Sequence, residues 1–112
     1  MKNEIVLFAG GDINLEVELR PELETVWLTQ KQMGELFEVK QATLSEHINN
    51  IISSGELDET SIGFSDKSSG GRKPKIYNLD MVLSVGYRVN SKRGIAFRRW
   101  ANSVLKQYVS DD

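Results

Sequence analysis

The residues best suited to chemistry in this chain fall close together: Gln41, Ala42, Thr43, Ser45, Glu46 and Asn49. They are amides, hydroxyls, one carboxylate and one small apolar group, sizes that can approach the edges of base pairs and exchange hydrogen bonds with them. On a helix, at ~100° per residue, Ala42, Ser45, Glu46 and Asn49 share one side, with Gln41 and Thr43 flanking its N-terminal end. Asn49 suits adenine N6 and N7, and Glu46 can accept from cytosine N4. A second set is cationic: Lys40, Lys67, Arg72, Lys73, Lys75, Lys92 and Arg93. These would hold the phosphate backbone of double-stranded DNA rather than read bases.

Presenting such a face requires a helix held outward by a second helix, and the stretch 27–52, WLTQKQMGELFEVKQATLSEHINNII, has that design. Thr29 can cap a first helix, with Gln32 completing a capping box. Met33, Leu36 and Phe37 form one apolar stripe, and Gly34 sits where a side chain would keep two crossing helices apart. After a bend at Glu38, Val39 and Lys40, the residues Leu44, Ile48, Ile51 and Ile52 define the buried side of a second helix. A plain packed hairpin of helices explains the stripes equally well, but it does not require the small residue, the short turn and the polar face together.

Two strand-like runs follow, 61–65 and 75–79, joined by DKSSGGRKP, which carries Lys67, Arg72 and Lys73. A hairpin with a basic tip directly after a recognition helix is the layout of a winged helix-turn-helix, and Gly71 to Pro74 resembles Arg-Pro segments that lie in narrow minor grooves. An exposed loop whose lysines merely keep the protein soluble is the alternative.

The remaining elements read as scaffold. Runs 4–9 and 13–20 flank Gly10, Gly11 and Asp12 as a hairpin, the second alternating Ile13, Leu15, Val17 and Leu19 with an acidic face. That hairpin cannot touch phosphates, although it could dock another protein. A third strand at 25–28 buries Trp27. Asn78 or Leu79 starts a helix with Val82, Val85 and Val89 on one side and Gly86 permitting close packing. Ser91 can cap a last helix to about Val109, striped by Phe97, Trp100, Ala101, Val104, Leu105 and Tyr108, which closes the core or pairs with a second copy in a homodimer.

Composition fits this division of labour. The net charge is -2, yet residues 66–106 hold ten basic and two acidic side chains, net +8, while 1–38 hold three basic and eight acidic, net -5. The second half can face a polyanion and the first cannot, unless those cations form an ordinary solvated surface. The 112 residues suit one domain, divided as 1–28 hairpin and strand, 29–52 helix-turn-helix, 56–79 basic wing and 80–110 two helices. The expected class is α+β, winged helix-turn-helix-like. There is no cysteine, hence neither disulfide nor thiolate zinc site, and no apolar run long enough for a membrane span, so a cytoplasmic protein is the default. No phosphate loop, HExxH pair, nucleophile elbow or dinucleotide fingerprint occurs. His47 either packs or contacts a phosphate, and Asp58 and Glu59 are turn residues. No enzyme, no cofactor and no metal is expected.

Several stretches carry a resemblance: ETVWLTQ (24–30), ELF (35–37), TLSEHI (43–48), GELD (55–58), YNLD (77–80), VGYRVNS (85–91) and FRRWA (97–101). In these the chain resembles the N-terminal domain of the RhuM family of virulence-associated proteins, itself similar to Bro-N and KilA-N type DNA-binding modules. The resemblance implies a bacterial cytoplasmic DNA-binding protein, possessing further domains or a protein partner if the chain is part of a longer one. The chain departs from the family at Lys40, where Asp is frequent, and at Gln41 and Glu46, where basic residues are. Losing Asp removes an N-cap acceptor, and Glu46 sets a negative charge on the presumed reading face.

Overall fold

The computed structural model describes residues 4–10, 13–20, 23, 25–65 and 73–109. The chain is α+β. Strands β1 (Glu4–Gly10), β2 (Ile13–Arg20) and β3 (Thr25–Thr29) precede helices α1 (Gln30–Phe37) and α2 (Gln41–Ser53). A 3-10 turn (Glu59–Ser61), strands β4 (Ile62–Phe64) and β5 (Lys75–Asn78), and helices α3 (Leu79–Val89) and α4 (Ser91–Val109) follow.

The two expected hairpins are not separate. They join in one antiparallel sheet of order β1-β2-β3-β5-β4, with Trp27 opposite Asn78 and Leu28 opposite Tyr77. Strand alternation then sorts the side chains. Leu15, Val17, Leu19, Val26, Leu28 and Tyr77 meet the helices in the main core, while Trp27 and Ile76 lie buried on the opposite face, with the Arg20 guanidinium 5.1 Å from the Trp27 ring centre. The Trp27 indole N–H has no partner among the described residues.

Four helices cover the inner face. Phe37 and Phe97 are almost fully buried, each contributing roughly 2–3 kcal/mol by transfer from water. Phe8, Phe97 and Trp100 form a ring cluster with centroids 5.3 to 5.4 Å apart, which locks β1 against α4. Gly86 lets α3 approach α1 and α4: a Cβ there would fall 2.8 Å from the Phe37 ring and 3.2 Å from Gly94 Cα.

The caps follow local chemistry with one correction. Thr29 Oγ1 accepts from the Gln32 N–H (3.1 Å) and Gln32 Oε1 accepts from the Thr29 N–H (2.9 Å), the expected capping box. The last helix is capped by Asn90, not Ser91: Asn90 Oδ1 accepts from the Arg93 N–H at 3.2 Å. Asn90 also donates from Nδ2 to the Phe37 carbonyl (3.2 Å), a long-range contact that a capping pattern cannot reveal. The 3-10 turn was also unforeseen; Asp58 caps it through Thr60.

Candidate nucleic-acid interface

The site is built on the crossing of α1 and α2. α1 ends at Glu38, which adopts a left-handed conformation (φ 59°, ψ 49°) and donates its N–H to the Gly34 carbonyl. Val39 donates to the same carbonyl, so the bend is closed by hydrogen bonds. At Gly34 a Cβ would meet the Val39 carbonyl oxygen at 3.2 Å and Gln41 Nε2 at 2.5 Å; the missing side chain is what allows α2 to start so close. Lys40 stands at the N-cap of α2 and supplies no side-chain cap bond.

With Leu44, Ile48 and Ile51 buried, α2 turns Gln41, Ala42, Ser45, Glu46 and Asn49 to the exterior. Thr43 is half-buried on the other flank, beside His47. Ser45, Asn49 and Ser53 line an open groove whose opposite wall holds Lys75 and Tyr77 of β5 and Ile62 of β4, with Gln30 at one end and Glu59 also in the lining. Lys73 and Lys75 are exposed. Phe64 pairs across the strands with Lys75, on the sheet face turned toward the helices, and is 56% exposed.

Two residues of this groove, Gln30 and Tyr77, lie outside the expected set, as does the exposed Phe64 paired with Lys75. Gln30 Nε2 donates to Ser45 Oγ (2.9 Å) and to the Gln41 carbonyl (3.3 Å), while Gln41 Nε2 donates to the Gln30 carbonyl (3.2 Å). The Tyr77 hydroxyl donates to Gln30 Oε1 at 3.4 Å, and burial pushes its pKa up, so it stays protonated throughout the neutral range. The signal that could have revealed Gln30 is its place directly after the Thr29 cap, at the start of the helix that α2 crosses. Phe64 carried no pattern beyond a strand's apolar alternation.

The cationic set divides. Lys40 stands at the start of α2 and Lys75 lines its groove, whereas Lys92 and Arg93 line a different groove with Phe8, Gly10, Glu38, Asn90 and Ala96. Arg93 Nη1 donates to the Leu36 carbonyl (3.3 Å) and Nη2 lies 3.6 Å from Glu38, so this guanidinium holds the C-terminal end of α1. Lys67 and Arg72 lie outside the described residues. Elsewhere Arg88 bonds Glu56 at 2.6 Å and Arg98 donates to the Tyr87 hydroxyl; among the described residues the cations of the second half are divided between these separate contacts.

Among the described residues no helix is long and apolar enough to cross a membrane, and no three His, Cys, Asp or Glu side chains gather as a metal site. The model of the Virulence protein RhuM family matches residues 58–112, so the C-terminal part of the chain is similar to that family. The match spans β4, β5, α3 and α4 and leaves α1 and α2 outside it. Neither a curated protein nor a solved structure matches the chain.

Proposed function

We propose that this chain is a sequence-reading DNA-binding domain of the winged helix-turn-helix type, a cytoplasmic binding module rather than an enzyme. α2 enters the major groove, and the β4–β5 hairpin follows the backbone or the minor groove beside it. One observation carries the reading: the polar side of α2, through Ser45 and Asn49, lines one open groove with the cationic Lys75. Uncharged donors and acceptors stand where bases are read, and cations stand where phosphates pass. Gln41, Thr43, Ser45, Glu46 and Asn49 contact base edges, and Lys40, Lys73 and Lys75 hold phosphates. Control of transcription is the use such a domain serves.

Titration with duplex DNA at low salt tests it. Saturable binding is expected, with log affinity falling linearly in log salt concentration. Asn49→Ala relaxes preference at one base position, whereas Lys75→Ala weakens all duplexes alike and reduces the salt slope by about 1. Absence of binding below about 10⁻⁴ M, the weak end of non-specific affinity, overturns the reading.

A specific observation favours a second reading, a protein-interaction or dimerisation module. β1 is an edge strand whose Ile5 and Leu7 are 48% and 56% exposed on the outer face of the sheet. Sedimentation of the free chain, before and after Leu7→Lys, separates the two: concentration-dependent association abolished by the charge supports this reading.

A further inference from the structure

The side-chain amides that open α1 and α2 cannot be turned over. Each points an end at a backbone carbonyl, Gln30 at that of Gln41 and Gln41 at that of Gln30. A carbonyl only accepts, so in both cases the NH2 group faces the backbone and the amide oxygen faces elsewhere. The Gln30 oxygen takes the Tyr77 hydroxyl. The same Gln30 NH2 group fills a lone pair of Ser45 Oγ, and the Ser45 hydroxyl hydrogen has no acceptor among the described residues. The Gln41 oxygen likewise has no donor among them.

Resting on the DNA-reading function proposed above, we infer that Gln30 is a positioning residue that biases the polarity of base readout: with one lone pair already filled, Ser45 turns its hydroxyl hydrogen toward DNA, and with its NH2 group turned to the backbone, Gln41 turns its amide oxygen there. A free serine hydroxyl or glutamine amide can do either. Held this way, Ser45 selects a base with an acceptor in the major groove, guanine, thymine or adenine through N7, over cytosine, which has none, on the strand it faces. Gln41 selects one with a donor, cytosine N4 or adenine N6.

The test is selection from random duplexes by the full chain and by Gln30→Glu. A carboxylate accepts only, so Ser45 must then donate inward and turn a lone pair outward. An acid in the first turn of α1 also suits the helix dipole, so the fold is retained. The wild type enriches guanine, thymine or adenine over cytosine at one position, roughly three- to tenfold for a single hydrogen bond. Gln30→Glu reverses that preference, and Ser45→Ala flattens the position. Uniform loss of affinity in Gln30→Glu with the preference unchanged overturns the inference and leaves DNA binding standing. Failure of the wild type to bind any duplex overturns both.

Discussion

The two ends of α1 use the same chemistry to opposite effect. At its C-terminal end Asn90 and Arg93 reach over from the α3–α4 junction and direct their donors at the Phe37 and Leu36 carbonyls, while Glu38 bends the chain. Those groups hold helices together and face inward. At the N-terminal end Gln30, Gln41, Ser45 and Tyr77 also bond one another, yet Gln41 and Ser45 are exposed and retain an oxygen and a hydrogen for an outside partner. One helix thus has an anchored end and a presenting end, and precision at the second depends on rigidity at the first.

The comparison breaks most severely at Gly86. Gly86→Ala forces a methyl into the Phe37 ring and should cost about 3 kcal/mol, the upper part of the range for overpacking, read from urea denaturation. Asn90→Ala removes the α4 cap and leaves the Phe37 carbonyl without its donor. About 2 kcal/mol is expected, one for the cap and one for the bond. Asn90→Asp restores the cap acceptor and not the donor, so it should recover about half.

Substitutions at the bend act on stability and binding separately. Glu38→Gly relieves a left-handed non-glycine residue and should raise stability by up to about 1 kcal/mol, since the Arg93 contact it loses is long and the carboxylate is mostly exposed. Lys40→Ser supplies the missing α2 cap, also worth about 1 kcal/mol, while weakening duplex binding at low salt. A Lys40→Ser variant that binds DNA as tightly as the wild type would remove Lys40 from the phosphate set.

The smallest effect is in acid. The Arg88 hydrogen bond holds the Glu56 carboxyl below its ordinary pKa, and the Thr60 hydroxyl and N–H do the same for Asp58. Folding therefore gains from both groups above the ordinary carboxylate value of about 4, and loses that gain as pH falls through the lower native values. Denaturation midpoints should be flat in this respect from pH 7 to about 5 and decline below about 4. Glu56→Gln and Asp58→Asn should each shrink the decline.

Much of the fold is legible because its determinants are close in sequence. The Thr29 and Gln32 capping box, the Leu44, Ile48 and Ile51 stripe and the Gly34 approach each involve residues within a few turns of one another. Propensity and period decide such features locally. The cap of α4 lies one residue before the expected Ser91: both Ser91 and Asn90 are able caps, and the choice falls to Asn90, which also reaches Phe37. The candidate reading face was legible from side-chain size and spacing; its partner Gln30 was not, because a glutamine after an N-cap says nothing about where its amide points.

The sequence by itself determined which segments become helices and strands, which faces are apolar, and that the acidic and basic residues occupy different halves. Only the tertiary structure decided that β5 lies between β3 and β4, that Lys75 shares a groove with Ser45 and Asn49, and that Arg93 holds α1 rather than standing apart with Lys92. The physical reason is range. Periodicity and capping are settled within a turn or two of chain, whereas sheet order and the target of a long guanidinium depend on which surfaces meet when distant segments bury their apolar faces together.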